Sequence, residues 1–230
     1  MIDAPLAALF DMDGTLVDNM AYHIASWEAF CQRYHLPFSL ETYYRQFNGR
    51  TSRDVLQMLF GRELTDAEAH NFTEEKEELY RQLYRPHLRP VAGCVDFLEN
   101  LKANGVKLAV ATSAPLSNLQ FTLDGAGLAP FFEVVVYGAM VRRGKPDPEI
   151  YLTTAFNLGV EPARCVVFED ALLGIESARR AGMTVVALTT SHSAAELKAS
   201  TALQVPDFAG MTFETLQPFF EKKSAFSSID

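Results

Sequence analysis

The feature that most constrains the fold is a short apolar run that ends abruptly in charge. Residues 6–10 are all apolar, and Asp11 and Asp13 follow directly, with Gly14 behind them. A run of this length, bounded by turn residues, predicts a buried strand. In an open α/β sheet, ligands bind at the carboxyl ends of the parallel strands, so both carboxylates are predicted to face a binding crevice.

Two carboxylates this close together raise the free energy of ionising each other unless a cation compensates them. Mg²⁺ suits the site, because it takes oxygen ligands and is commonly held by one or two carboxylates and a substrate phosphate. The alternative is an acidic turn, in which Asp11 is a cap and Asp13 and Gly14 are turn residues. The spacing of the two aspartates alone leaves both interpretations open.

Composition and charge exclude several classes of protein. The chain has 230 residues, of which 48% are hydrophobic, so it can form one large α/β domain or a core with a smaller insert. Its net charge of −9 argues against nucleic-acid binding, which depends on clustered Lys and Arg. The sequence shows neither a membrane-length segment nor a signal peptide, and we expect a cytoplasmic monomer. Cys31, Cys94 and Cys165 lack paired spacing and are predicted to be buried apolar residues.

A helical pattern follows the first strand and continues to residue 84. Apolar residues at helical spacing begin at Met20, and Asp18 or Asn19 precedes them as a candidate N-cap. Further helices are predicted over 39–47, 52–60 and 65–84. Pro86 and Pro90 then end the pattern, because closely spaced prolines cannot continue a helix.

From residue 91 onward helices and strands alternate, as a doubly wound parallel sheet requires. Strands are predicted over 106–111, 132–137, 165–168 and 184–188, with a weak one near Leu203, and helices over 94–103, 116–126, 148–158, 172–181 and 213–220. We therefore predict an α/β fold with a Rossmann-like core formed by 1–17 and 87–230. The stretch 18–86 is predicted to be a helical cap domain, inserted above the carboxyl end of the first strand. The tail 221–230 is predicted to fray.

The later strands also deliver polar residues where they end. Thr112 and Ser113 follow the second predicted strand and could hold phosphoryl oxygens at a helix N-terminus, although an ordinary N-cap explains them as well. Lys145 follows the third strand and is either a surface charge or a cation aimed at the site. Glu169 and Asp170 end the fourth, and Asp170 could equally cap the next helix. At one edge of one sheet, these groups would balance a cation and a phosphoryl group.

The sequence resembles the haloacid dehalogenase superfamily, and its beta-phosphoglucomutase-like branch in particular, with a helical cap inserted after the first motif. The motifs occur in the expected order and span essentially the whole chain: Asp11-Met12-Asp13-Gly14-Thr15-Leu16-Val17-Asp18, Thr112-Ser113, Gly144-Lys145-Pro146-Asp147-Pro148 and Phe168-Glu169-Asp170. Taken together, these motifs are highly specific.

The resemblance implies a role for each motif residue. Asp11 would attack phosphorus and form an aspartyl-phosphate. Asp13 would protonate the leaving oxygen and then deprotonate the attacking water. Thr112, Ser113 and Lys145 would hold the phosphoryl oxygens.

The resemblance also implies a Mg²⁺ site. Asp11, the backbone carbonyl of Asp13 and Asp170 would bind the ion, and Glu169 would orient it or its waters. Members that remove halide or cleave phosphonates lack a carboxylate at the position of Asp13, so the resemblance favours phosphate ester chemistry.

The sequence differs from the mutases of this branch at the positions with which they bind a second phosphate. A cap arginine and a Ser-Lys-Asn run are expected there, but Ser52 and Ala114-Pro115-Leu116 occupy these places. His23 and Trp27, in contrast, match mutase-like positions. The substrate-binding residues implied by the resemblance are His23, Asn48, Gly49, Arg50 and Arg53.

We therefore expect a Mg²⁺-dependent phosphatase that acts on a small phosphomonoester, such as a sugar phosphate or a related metabolite. A beta-phosphoglucomutase-type mutase is the alternative. An alternative of another class is a catalytically silent module that binds a phosphorylated ligand. Such a module is expected to carry a broken motif, whereas all the motifs here are intact.

Overall fold

The computed structural model describes residues 5–221, in which six parallel strands form one sheet. Their bounds are β1 Ala7–Phe10, β2 Lys107–Thr112, β3 Val134–Tyr137, β4 Cys165–Glu169, β5 Thr184–Leu188 and β6 Leu203–Val205. The strand order is β3-β2-β1-β4-β5-β6, so the chain runs outward on one side of β1 and returns to its other side at β4. Ligands bind at such a switch point. The predicted doubly wound sheet is confirmed.

Ten α-helices lie within the described residues. They are α1 Met20–Tyr34, α2 Leu40–Thr42, α3 Ser52–Phe60, α4 Asp66–Tyr84, α5 Cys94–Ala103, α6 Leu116–Gly125, α7 Glu149–Leu158, α8 Leu172–Arg180, α9 Ala194–Leu197 and α10 Phe213–Glu221. The helical segment predicted over 39–47 is helical, and it consists of the short α2 followed by a π-helical turn over Tyr43–Phe47. Of the tail predicted to fray, only Glu221 falls in the described part of the chain. No helix in that part is both long and apolar enough to cross a membrane.

Strand β1 is fully buried, because helices cover both faces of the sheet. Ala8 and Phe10 contribute to the apolar cluster on one face. Ala7 and Leu9 contribute to the cluster on the other face. Phe10 stacks on Phe168 of β4, with ring centroids 4.6 Å apart. The two strands that deliver the carboxylate pairs are therefore packed rigidly against each other.

The inserted helices α1 to α4 pack around an apolar core of their own. It includes Trp27, Phe30 and Phe47. The two connections to the sheet lie side by side, since the Val91 N–H donates to the Leu16 carbonyl at 2.9 Å. A helical cap inserted after the first strand is thus confirmed, while the residue bounds proposed for cap and core stay a prediction.

Aromatic packing on one face of the sheet predicts that two phenylalanines contribute very differently to the free energy of unfolding. Phe208 is 1% exposed and packs against Phe97 and Phe168, whereas Phe156 is 84% exposed. We expect Phe208→Ala to lower the free energy of unfolding by about 3–5 kcal/mol, because it leaves a core cavity. Phe156→Ala should change it by less than about 0.5 kcal/mol. Urea unfolding followed by circular dichroism measures both, and equal losses would contradict this packing.

Candidate active site

Strands β1 and β4 bring three buried carboxylates together at one edge of the sheet. Asp11 directly follows β1, and Glu169 and Asp170 lie at the end of β4. The two strands pair in register, Phe10 beside Phe168, so their ends coincide. Ligand oxygens of the three carboxylates lie within 4.8 Å of one another. This cluster is the predicted convergence of the first and fourth motifs.

Lys145 places its ammonium group inside this cluster. Its Nζ donates to Asp11 Oδ1 at 2.7 Å, to Glu169 Oε1 at 2.6 Å and to the Ala111 carbonyl at 3.3 Å. Burial lowers the pKa of Lys145, but the carboxylates of Asp11 and Glu169 outweigh burial and hold the pKa well above its ordinary value. Lys145 is therefore a buried cation, and the interpretation as a solvated surface charge is excluded.

Both carboxylate oxygens of Glu169 accept hydrogen bonds from donors within this chain. Oε1 also accepts from the Tyr151 hydroxyl at 3.0 Å, and Oε2 accepts from the N–H groups of Asp170 and Ala171 at 2.9 and 2.8 Å. A Cβ atom at Gly174 would overlap Oε1, so only glycine leaves room there. Asp170 makes no helix cap, because Ala171 is at the N-cap position of α8. Glu169 thus fixes Lys145 and the loop after β4.

The carboxylate cluster is short of positive charge. Burial raises the pKa of Asp11 to about 7, and Glu169 and Asp13 add to the rise, although Lys145 opposes it. Burial, together with Glu169 and Asp11, also raises the pKa of Asp170 well above its ordinary value. One ammonium group among three carboxylates leaves a negative excess that a hard divalent cation with oxygen ligands would remove. The residues therefore fit Mg²⁺.

Asp13 lies apart from this cluster and has partners of its own. Its Oδ1 accepts from Asn19 Nδ2 at 2.6 Å and lies 3.5 Å from His23 Nε2. Burial raises the pKa of Asp13, but His23, Asn19 and Lys76 outweigh burial and leave the pKa below its ordinary value. The pKa values of the two aspartates are therefore shifted in opposite directions, because their neighbours differ.

Asn19 is a site residue that the sequence did not identify. It occupies the N-cap position of α1, but its side chain makes no capping bond. Instead, Asn19 Oδ1 accepts a hydrogen bond from the Gly14 N–H at 3.1 Å, and Asn19 Nδ2 donates to Asp13 Oδ1. Asn19 is thus the N-cap residue by position, one of the two predicted, but its side chain holds the loop that carries both aspartates instead of capping the helix.

Thr112 and Ser113 lie at the end of β2 but use their hydroxyls differently. Thr112 Oγ1 accepts the Ala114 N–H at 3.1 Å. Ser113 Oγ donates to the Gly49 carbonyl of the cap at 2.7 Å. Neither is an N-cap, because Pro115 holds that position in α6. Ser113 thus joins core and cap at the edge of the site.

A small cavity of about 60 Å³ lies between the core and the cap. The predicted residues that line it are Asp11, Asp13, His23, Asn48, Gly49, Arg50, Thr112, Ser113 and Asp170. Asn48 Nδ2 is buried and has no hydrogen-bond partner among residues 5–221. Arg53 does not line the cavity, because its guanidinium donates to Asp66 at 2.7 Å and to the Leu64 carbonyl at 3.3 Å.

Helix α4 adds two charged residues to the cavity wall. Lys76 is 1% exposed and Glu77 is 2% exposed. Lys76 Nζ lies 2.9 Å from His23 Nδ1 and 4.8 Å from the Trp27 ring centroid. Burial raises the pKa of Glu77, but Lys76 and His23 outweigh burial and keep the pKa below its ordinary value. No sequence signal marked this pair, because the charge run 74–78 is typical of a solvated helix face.

Comparison with known proteins shows the family to which this chain is similar. The model of the haloacid dehalogenase-like hydrolase family matches residues 8–188. Over 178 residues the chain is 35% identical to the phosphorylated carbohydrates phosphatase of Thermotoga maritima, covering 77% of this chain and 82% of that protein. It is 31% identical to beta-phosphoglucomutase of Bacillus subtilis, covering 78% and 81% of the two chains. A HAD hydrolase, family IA, variant 3, from Entamoeba histolytica superposes with TM-score 0.82 at 30% identity, covering 94% of this chain and 99% of that one.

The parallel sheet, the inserted cap and the buried acidic cluster define a Rossmann-like hydrolase. Since the family model matches most of the chain, the protein belongs to the haloacid dehalogenase-like hydrolase family. The predicted enzyme class, and the likeness to phosphatases and to beta-phosphoglucomutase, are confirmed.

The raised pKa of Asp11 makes the stability of the metal-free protein depend on pH. Between about pH 4 and pH 7, Asp11 is protonated in the folded protein and ionised in the unfolded chain, so stability is lost as the pH rises. We expect the free energy of unfolding of Asp11→Asn, relative to wild type, to increase across this range, because the amide does not ionise. Urea unfolding in excess chelator at each pH measures the difference, and a difference independent of pH would contradict the expectation.

Proposed function

We propose that this protein is a Mg²⁺-dependent phosphatase that hydrolyses a small phosphomonoester, a sugar phosphate or a related metabolite, through an aspartyl-phosphate on Asp11. One observation carries the proposal. Asp11 and Asp13 line the same cavity but have different hydrogen-bond donors. Lys145 Nζ donates to Asp11 Oδ1 at 2.7 Å, and Asn19 Nδ2 donates to Asp13 Oδ1 at 2.6 Å. Two carboxylates with separate partners suit a nucleophile and an acid–base group.

In the first step an Asp11 oxygen attacks phosphorus, and the bond from phosphorus to the leaving oxygen breaks as Asp13 protonates that oxygen. Water then attacks phosphorus, Asp13 takes its proton, and phosphate departs as the bond to Asp11 breaks. Asp13 needs a proton for the first step. The negative charge of a bound phosphate raises its pKa, because like charges disfavour ionisation.

The remaining polar groups bind the phosphoryl group and the cation. Thr112, Ser113 and Lys145 would hold phosphoryl oxygens, a role that the buried charge of Lys145 supports. Asp11, Asp170 and the Asp13 carbonyl would hold Mg²⁺, which when bound compensates charge on the transferring group.

Substrate recognition would come from the cap. The cavity of about 60 Å³ supports a small leaving group, which His23, Asn48, Gly49 and Arg50 would contact. The likeness to a phosphatase named for phosphorylated carbohydrates supports a sugar phosphate. Activity as a monomer in the cytoplasm stays a prediction.

Hydrolysis should require Mg²⁺ and both aspartates. Asp11→Asn should abolish phosphate release from sugar and polyol phosphates, because the nucleophile is lost, and Asp13→Asn should slow it by about 10²–10⁴-fold. Excess chelator should stop the wild-type reaction. Phosphate release measures all of these, and Asp124→Asn is the matched control, which should keep full activity because Asp124 is exposed and does not line the cavity. Normal turnover by Asp11→Asn would refute the assigned nucleophile.

The mutase alternative predicts a different product. With beta-glucose 1-phosphate and a catalytic amount of glucose 1,6-bisphosphate, we expect free phosphate or no reaction, and little glucose 6-phosphate. The apolar Ala114 and Pro115 support this, because Pro115 has no N–H to offer a second phosphate. Quantifying both products decides the question. Conversion to glucose 6-phosphate without phosphate release would favour the mutase, and Mg²⁺-dependent binding of phosphate esters without turnover would favour the silent module.

A further inference from the structure

Glu77 and Lys76 form a buried ion pair in the part of the cavity wall that α4 supplies. Lys76 Nζ lies 3.2 Å from Glu77 Oε1 and 3.1 Å from Oε2, so the ammonium group faces both carboxylate oxygens. A cation so placed is neutralised by its own neighbour. Lys76 therefore offers little attraction to a second anionic group on a bound substrate.

The Glu77 carboxylate is also held in place by neighbours from the cap and the core. Ser52 Oγ of α3 donates to Oε1 at 2.6 Å, and Asn118 Nδ2 of α6 donates to Oε2 at 2.7 Å. Ser52 and Asn118 line the same cavity. Because α6 belongs to the part of the chain that packs on the sheet, Glu77 keeps a fixed orientation while the cap lies over the core.

Among the described residues, the cap wall of the cavity contains one further permanent cation, Arg50, besides Lys76. Its Nε donates to the Gln46 carbonyl at 2.7 Å. The nearby Arg53 is paired with Asp66. Asn48, in contrast, presents a buried Nδ2 that has no partner in the described chain, which suits a hydroxyl acceptor. Apart from the Arg50 guanidinium, the cap wall thus offers paired charges and a neutral amide, which match hydroxyl groups of a ligand.

We infer that Glu77 is a specificity residue: its carboxylate makes the cap side of the cavity reject a second anionic group and select monophosphates of sugars or polyols whose remaining groups are hydroxyls. This inference rests on the proposed phosphatase function. The discrimination comes from the pairing itself: because Glu77 neutralises Lys76, a second anionic group would be buried at this wall without a free cation to pair with, and an unpaired buried charge counts against the wrong ligand.

Pairs of esters that differ by one distal anionic group test the inference. Fructose 1-phosphate is compared with fructose 1,6-bisphosphate, and glucose 6-phosphate with 6-phosphogluconate. Dissociation constants are measured calorimetrically with Mg²⁺ in the non-hydrolysing Asp11→Asn background, and kcat/KM is measured in the wild-type background. The wild-type residue Glu77 should favour the member of each pair that lacks the distal anionic group.

Glu77→Gln should shift the ratio between the two members by about tenfold toward the member with the distal anionic group, because the amide removes the negative charge and leaves Lys76 uncompensated. The change should appear in KM and in the dissociation constant rather than in kcat. A merely structural role would weaken both members equally. Glu77→Asp keeps the charge and should keep the wild-type ratio. Glu78→Gln is the matched control, because Glu78 lies on the same helix but its side chain is 53% exposed.

The outcomes separate the two proposals. An unchanged ratio in Glu77→Gln, or equal wild-type binding of both members of each pair, would overturn the role of Glu77 and leave the phosphatase intact. If Glu77→Gln fails to fold, Glu77→Asp provides the test: a ratio between the two members that differs from the wild-type ratio would overturn the proposed role of Glu77. Binding of the members without the distal anionic group, with no hydrolysis by wild type, would refute the proposed phosphatase and not the selectivity.

Discussion

The ammonium group of Lys145, held between Asp11 and Glu169, is the interaction on which the rest of the site depends. It lies 2.7 and 2.6 Å from the two carboxylates and is almost completely buried. Buried charges persist only when they are paired and hydrogen-bonded, and removing one partner leaves the other uncompensated. Three segments that are distant in the sequence, the end of β1, the loop after β3 and the end of β4, are thereby tied together.

The sheet makes this arrangement possible by holding the strand ends rigidly. Phe10 and Phe168 stack directly beneath the carboxylates that follow them, so that the apolar core fixes the spacing of the charged groups above it. Glu169 adds a second constraint, because four donors fill its two oxygens. Preorganised charge of this kind needs no rearrangement when a phosphoryl group arrives.

The charged groups of the core site are only partly compensated, whereas Lys76 and Glu77 of the cap compensate each other. In the core, three carboxylates surround one lysine, and the negative excess calls for a cation. In the cap wall, Lys76 and Glu77 compensate each other. The core end of the cavity, beside Lys145 and the acidic cluster, would therefore suit a phosphoryl group together with a cation, whereas the cap end contains the mutually paired Lys76 and Glu77. His23 connects the two regions, since it lies beside both Asp13 and Lys76.

The sequence by itself determined the strands, most of the helices and the residues that gather at the sheet edge. Periodicity marks these elements locally, and parallel strands bring their carboxyl ends to one edge, so the pattern of residues is enough to place Asp11, Lys145 and Asp170 there. Only the tertiary structure decided which side chains become partners. Arg53 pairs with Asp66 outside the cavity. The Asn19 side chain donates to Asp13 instead of capping α1. Glu77 is buried, although the charge run to which it belongs is typical of an exposed helix face. Each outcome depends on contacts between elements far apart in the chain, which local pattern does not encode.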